Sequence, residues 1–198
     1  MIHRIKDEFV NVYIIDRGDH LVLIDTGIES TCEKILKKIE ELGKPLKTVI
    51  ITHYHLDHTG SLKCVKDGTG AKVVAHEEEV KAIEEKTGVR VDVPVKDGDV
   101  VEGLKVFHMP GHTRGSICLL DEESGALFVG DLMVERDGKL YEVPQQYSED
   151  PMMNRERIKE LLNIEFKAIY PAHGEPVLEN AKEKVKELVE SFSKGETN

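Results

Sequence analysis

The stretch Thr52-His-Tyr-His-Leu-Asp-His58 limits the possible structures of this chain more than any other, because it places three histidines and an aspartate directly after an apolar run. Residues 47–52 are rich in β-branched and apolar types, so they predict a buried strand that ends where the histidines begin. A solvated, histidine-rich loop is one interpretation. A random loop seldom carries three imidazoles at this spacing, however, and the stretch favours a metal site.

Further ligand-type side chains follow other apolar runs of the chain, at His112, Asp131 and His173. Strand ends can converge at one edge of a sheet, as they do at the ligand sites of α/β folds. Imidazole nitrogen and carboxylate oxygen suit zinc, iron or manganese. We therefore expect one metal site with seven ligands, enough for two ions that share a carboxylate: His53, His55, Asp57, His58, His112, Asp131 and His173.

The rest of the pattern predicts alternating strands and helices. Strands are predicted at residues 10–15, 21–24, 47–52, 71–75, 116–120, 126–129 and 167–170, and residues 100–107 are predicted to form strand segments with turns at Gly98 and Gly103. Helices are predicted from a capping box at Ser30 and Glu33 as far as Gly43, and at residues 77–86, 150–163 and 179–193. Residues 132–150 show no readable pattern and are predicted to form a loop.

Length and charge narrow the classes of protein to which the chain can belong. At 198 residues we expect a single domain, residues 1–198. The formal net charge of -11 disfavours nucleic acid and membranes as partners, because both select basic surfaces. No apolar run approaches the roughly 20 residues of a membrane-spanning helix, and the first ten residues lack the apolar stretch of a signal peptide. The sequence therefore predicts a cytoplasmic protein.

The three cysteines lie far apart in the sequence, at Cys32, Cys64 and Cys118. None of them forms a Cys-x-x-Cys pair. Free cysteines are among the most buried residue types, so the sequence predicts three buried free thiols.

Four motifs, in their order along the chain, resemble those of the metallo-β-lactamase-fold hydrolase superfamily. They are Thr52-His-Tyr-His-Leu-Asp-His58, Gly111-His-Thr-Arg-Gly-Ser116, Gly130-Asp131 and Pro171-Ala-His-Gly174. The resemblance implies an α/β fold, a four-layer αββα sandwich of two mixed β-sheets with helices on the outer faces. It also implies how the ligands are shared: His53, His55 and His112 for one metal, Asp57, His58 and His173 for a second, and Asp131 between them.

These ligands predict a dinuclear metal-dependent hydrolase, with zinc as the expected ion and iron or manganese as alternatives. Two cations about 3.5 to 4 Å apart lower the pKa of a shared water towards roughly 7. The resulting bridging hydroxide would attack an ester, thioester or lactone carbonyl of a small metabolite. Asp57 is the predicted catalytic residue, because it could orient the nucleophile and carry a proton to the leaving group. Two ligand carboxylates do not neutralise two divalent ions, so an anionic substrate is compatible with the pocket.

Three other activities are consistent with the same residues: phosphodiester or phosphonate hydrolysis, iron-dependent oxygen or sulfur redox chemistry, and a non-catalytic metal-binding domain. Tyr54 and Tyr147 are candidate substrate-binding residues, because Tyr54 lies inside the predicted metal loop and Tyr147 follows Asp131 in a segment that could line the pocket. The role of Arg114 is open, as are the substrate and the oligomeric state. Asp25-Thr-Gly27 ends an apolar run, and we expect it to support the metal loop from beside it.

Overall fold

A computed structural model of the chain describes residues 1–195, which fall into two compact units. The first unit is Met1–Val95 and the second begins at Lys96. Each has a mixed β-sheet and a hydrophobic core of its own. The prediction of an α/β fold with two mixed sheets and helices is confirmed, whereas the count of one domain stays a prediction.

The first unit is built on six strands that lie in the sheet in their order along the chain. Its strands are β1 (Ile2–Asp7), β2 (Val10–Asp16), β3 (Leu21–Ile24), β4 (Leu46–Ile51), β5 (Lys72–His76) and β6 (Val93–Val95). Its helices are α1 (Thr31–Leu42), α2 (Leu56–Thr59), α3 (Leu62–Thr69) and α4 (Val80–Thr87). Pairing is antiparallel from β1 to β3 and parallel from β3 to β6.

The parallel pairing of β3 with β4 sets the position of the first metal loop. Ile24 lies opposite Ile50, so the two strands end side by side and Asp25 and Thr52 emerge at the same sheet edge. The apolar residues of β4 anchor this edge, and Ile51 is fully buried in the core of the unit. The histidines and the aspartate of residues 53–58 therefore begin at the carboxyl end of a strand, as the sequence predicts.

The second unit contains a five-stranded sheet and a separate hairpin. Its strands are β7 (Val100–Val101), β8 (Leu104–His108), β9 (Ile117–Asp121), β10 (Ala126–Gly130), β11 (Met133–Arg136), β12 (Lys139–Glu142) and β13 (Ala168–Pro171). Its helices are α5 (Pro151–Glu160) and α6 (Ala181–Ser193). The sheet has the order β13-β10-β9-β8-β7, in which only β13 and β10 are parallel, while β11 pairs with β12.

The secondary structure differs from the prediction at several places. The predicted loop 132–150 contains the β11–β12 hairpin, which turns at Asp137-Gly138 with positive φ angles of 50° and 80°. An Asp-Gly pair is a strong hairpin signal, so the sequence carried the information. The short edge strands β1 and β6 were also missed, because charged residues and a proline break their apolar pattern. The predicted capping box does not form: the Ser30 hydroxyl makes no cap bond and donates to Asp7 at 3.0 Å.

The prediction of three free thiols is wrong for two of the cysteines. Cys32 on α1 and Cys64 on α3 form a disulfide, with the Cα atoms 6.2 Å apart. The two helices pack side by side on the same sheet. Because the two cysteines are 32 residues apart in the sequence, the sequence pattern did not indicate this proximity. Cys118 is a buried free thiol, as predicted, and burial raises its pKa. Among residues 1–195, no helix is long and apolar enough to cross a membrane.

Candidate metal centre

The ligand loop of the first unit runs from the end of β4 into α2. Of its histidines, His53 and His58 are buried and His55 is half-buried. The His53 ring lies 4.7 Å from the His55 ring and 4.0 Å from the His58 ring, measured between centroids. Asp57, in the first turn of α2, places Oδ2 3.6 Å from Nε2 of His58. The structure thus brings together all four ligand-type residues of the first motif.

Asp25 organises this loop from the neighbouring strand. Its Oδ1 accepts a hydrogen bond from the backbone N–H of Thr52 at 2.8 Å. Its Oδ2 accepts a hydrogen bond from the Thr52 hydroxyl and also lies 2.8 Å from Nδ1 of His58. An ionised carboxylate only accepts hydrogen bonds, so Nδ1 of His58 carries the hydrogen and Nε2 is the nitrogen left for a metal. The expectation that Asp25-Thr-Gly27 supports the metal loop is confirmed.

Thr52 orients the ring of His53 in the same way, through a hydrogen bond. Its hydroxyl gives its hydrogen to Asp25 and lies 3.1 Å from Nδ1 of His53, so it can accept from that nitrogen. Nε2 of His53 then becomes the free ligand atom. One carboxylate therefore sets the tautomer of two neighbouring histidines, directly for His58 and through a hydroxyl for His53.

A second carboxylate, Glu79, holds the middle of the loop. It is buried, and its Oε2 accepts the backbone N–H of Tyr54 at 2.7 Å. The Tyr54 ring packs against the core and lies edge-on to His55, with centroids 4.8 Å apart. Lys86 lies 5.2 Å from the centre of the same ring. Tyr54 thus helps to fix His55, and its contact with substrate stays a prediction. Nothing in the sequence pattern singled out Glu79.

The ligand-type residues of the second unit converge on one carboxylate, that of Asp131. Nε2 of His112 lies 3.3 Å from Oδ2, and Nε2 of His173 lies 3.2 Å from Oδ1. Asp131 and His112 are buried, and His173 is half-buried. Each carboxylate oxygen therefore has its own histidine. The structure brings together all three ligand-type residues that the sequence places after β8, β10 and β13.

Strand pairing accounts for the proximity of Asp131 and His173. The parallel strands β10 and β13 place Gly130 opposite Pro171, so the residues that follow them leave the sheet together. The turn after β13 is held by Glu135, whose N–H donates to the His173 carbonyl at 3.0 Å and whose Oε2 accepts the Glu175 N–H at 2.6 Å. The sequence gave no indication of this role for Glu135.

His112 is held by the segment between the hairpin and α5. Its carbonyl accepts the N–H of Glu149 at 3.1 Å, and Ser148 Oγ lies 3.4 Å from Nδ1. Tyr147, the neighbour of Ser148, is 60% exposed. The exposed ring thus belongs to the residue next to a contact of His112, and its binding of substrate stays a prediction. Arg114 has an exposed side chain, and its carbonyl lies 2.8 Å from Nε2 of His108.

The spacing of the donor atoms suits metal ions better than hydrogen bonds. Two ligands at 2.0–2.2 Å from a tetrahedral zinc ion lie about 3.3–3.6 Å apart. Asp131 is 3.3 Å from His112 and 3.2 Å from His173, at the lower end of this spacing. A charge-assisted hydrogen bond would be shorter, at about 2.7–2.9 Å. The imidazoles and the carboxylate of the second unit therefore fit a divalent cation, and the chain has a candidate metal site.

Comparison with curated proteins gives hydrolases among the relatives. The chain is 29% identical over 147 residues to hydroxyacylglutathione hydrolase of Pelagibacter ubique, covering 72% of this chain and 58% of the relative. It is 29% identical over 170 residues to atrochrysone carboxyl ACP thioesterase of Aspergillus fumigatus, covering 83% and 37%. The chain spans less than two thirds of the length of four such relatives. The covered shares are 64%, 55%, 58% and 62%, and the third value is that of the Pelagibacter ubique protein.

Solved structures share the fold. A metallo-beta-lactamase from Pontibacter korlensis superposes with a TM-score of 0.79 at 23% identity, over 96% of this chain and 94% of that one. TTHA1623, solved in a di-iron-bound form, gives a TM-score of 0.70 at 25% identity, over 90% and 94%. The sequence profile of the metallo-beta-lactamase superfamily matches residues 5–173, which include every ligand-type residue of the candidate site. The chain belongs to the metallo-beta-lactamase superfamily.

Proposed function

We propose that this protein is a hydrolase that uses two divalent metal ions to cleave an ester, thioester or lactone of a small metabolite. The observation that carries the proposal is the carboxylate of Asp131, which has His112 on one oxygen and His173 on the other, at 3.3 and 3.2 Å. A carboxylate flanked in this way suits a ligand that two ions share.

The proposed ligand assignment is the one that the family resemblance implies. One ion would take His53, His55 and His112, the other Asp57, His58 and His173, with Asp131 common to both. Zinc is the proposed ion, because imidazole and carboxylate ligands in a four-coordinate set suit it. Iron is the alternative, and the di-iron form of TTHA1623 supports testing it.

When bound, the ions supply a nucleophilic water at neutral pH and polarise the carbonyl of the substrate. The residues of the chain position that water and move its proton. Asp57 is half-buried, and its Oδ2 lies 3.6 Å from His58. This carboxylate can orient the water and then carry a proton to the leaving group.

A carbonyl substrate is favoured over a phosphodiester by the relatives. One is named a hydroxyacylglutathione hydrolase and another an ACP thioesterase, and the second name specifies a thioester. We propose a small-molecule substrate, anionic ones included, because two divalent ions exceed the charge of the two ligand carboxylates. Tyr54 and Tyr147 are the proposed substrate contacts, from the metal loop and from the exposed turn next to Ser148.

A substrate panel tests this proposal. Zinc-loaded and metal-stripped protein are assayed with p-nitrophenyl acetate, an acyl thioester and bis-p-nitrophenyl phosphate, and iron-loaded protein is assayed for oxygen uptake. We expect metal-dependent turnover of the ester or thioester, its loss in His173→Ala, and no change in His3→Ala, which alters a histidine outside the site. Exclusive phosphodiester turnover, oxygen uptake, or no turnover of any substrate would contradict the proposal.

A further inference from the structure

We infer that Asn154 is a positioning residue for the metal ligands of the second unit. It lies in α5 and contacts both loops that carry ligands of the first ion, the loop of His112 and the loop of Asp131. The inference rests on the proposed function, because it concerns the same ions, and it assigns a role to a residue that touches neither metal nor substrate.

The contact with the Asp131 loop is a side-chain hydrogen bond. Asn154 is 1% exposed, and its Nδ2 donates to the carbonyl of Leu132 at 3.1 Å. Leu132 directly follows Asp131 in the chain, and its own N–H donates to the carbonyl of Val129 at 3.0 Å. The peptide groups on the C-terminal side of Asp131 are therefore held at both ends, by the strand and by Asn154.

The contact with the His112 loop is one of close packing. Gly111 has a φ of 145°, and a Cβ atom at this position would lie only 2.4 Å from the backbone nitrogen of Asn154. The Gly111 carbonyl accepts the N–H of Asp150 at 2.8 Å, and the Asp150 carbonyl in turn accepts the N–H of Asn154 at 3.0 Å. The first turn of α5 thus rests directly on the residue before His112.

These contacts make Asn154 the point at which the two ligand loops meet the same helix. The 3.3 Å between Nε2 of His112 and Oδ2 of Asp131 fits one shared ion, and a shift of either loop would change that distance. In the described part of the chain, Oδ1 of Asn154 is buried without a hydrogen-bond partner. A buried amide oxygen of this kind is unfavourable, so the bond that Nδ2 makes to Leu132 explains why an amide, rather than an apolar side chain, suits this position.

The inference is tested by metal binding rather than by turnover. Asn154→Asp keeps the shape of the side chain and removes the donor to Leu132, and Asn154→Ser shortens the side chain without adding charge. We expect both variants to bind cobalt(II) about tenfold or more weakly in competition with a chelator, as substitutions around metal ligands do. The visible absorption bands of the cobalt-loaded protein should also change, because they report the geometry of the ligands.

Two controls separate positioning from stability. Asn163→Asp makes the same change at an exposed asparagine near the end of α5. Val185→Ala removes buried apolar volume from α6 and should lower stability. Both should keep wild-type cobalt affinity and absorption bands. If either folded Asn154 variant matches the wild type in affinity and spectrum, the inference is overturned. A wild-type protein that takes up no cobalt would overturn the proposed function as well.

Discussion

Asp25 and His58 are joined by a contact of 2.8 Å between Oδ2 and Nδ1, although 33 residues separate them in the sequence. Both side chains are almost completely buried. The contact ties the end of one strand to the last ligand of the metal loop on the next. It links a residue that binds no metal in the proposed site directly to one of the proposed ligands.

Asp25→Asn should weaken metal binding without unfolding the protein. An amide group can donate as well as accept, so it no longer forces the hydrogen of His58 onto Nδ1. Such partners of metal-binding histidines typically contribute 10- to 100-fold in metal affinity, and we expect a loss of about that size for the ion held by His58. Competition with a chelator measures it. Asp67→Asn, at an exposed carboxylate, is the matched control, and equal affinities for the two variants would contradict the assignment.

Asp57→Asn should lower kcat more than it raises KM. The amide keeps the shape of the side chain but cannot carry a proton, and positioned acid–base groups contribute about 10²- to 10⁴-fold. Steady-state kinetics on the best substrate of the panel, with the metal content of each preparation measured alongside, provide the test. A variant with full metal content and wild-type kcat would remove Asp57 from the catalytic role.

Much of the architecture follows from the sequence because apolar runs, turn residues and ligands are local signals. The strands β2, β3, β4 and β10 were predicted within a residue or so of their ends. The predicted ligands lie together within each unit, four after β4 and three around Asp131. The supporting residues of the site that escaped prediction depend on long-range proximity. Glu79 reaches Tyr54 from 25 residues away and Glu135 reaches Glu175 from 40 residues away, and neither lies in a recognisable motif.

The disulfide illustrates the same limit. No local pattern pairs Cys32 with Cys64, and only the packing of α1 beside α3 brings them together. A closed loop of about this length is expected to contribute roughly 3 to 4 kcal/mol by restricting the unfolded chain. Cys32→Ser should therefore lower the free energy of unfolding by about that amount in urea titrations. Reduction of the wild type should give a similar loss, and a reduced wild type as stable as the oxidised protein would contradict the bond.

Asp7 should make the stability of the protein depend on pH. Hydrogen bonds from Lys34, Thr31 and Ser30 lower the pKa of this buried carboxyl from its ordinary value near 3.8. Because the folded-state pKa is the lower one, the stabilisation is fully present above the unfolded-state value and is lost as the pH falls through the folded-state value.

Asp7→Asn is the corresponding variant. We expect it to unfold about 1 to 2 kcal/mol more easily than the wild type at pH 7, with a difference that shrinks as the pH falls below 3.8. Urea titrations at pH 7, 4 and 3 measure the difference directly. A gap between variant and wild type that stays constant over this range would show that the charge of Asp7 does not contribute.

The number of metal ions that one chain binds tests the proposed dinuclear site most directly. Metal-stripped protein is reconstituted with zinc, freed of excess ion and measured by elemental analysis, for the wild type and for Asp131→Ala. We predict two ions per chain in the wild type and fewer in the variant, because the shared carboxylate is lost. One ion or none in the wild type, or two in Asp131→Ala, would contradict a dinuclear site built around Asp131.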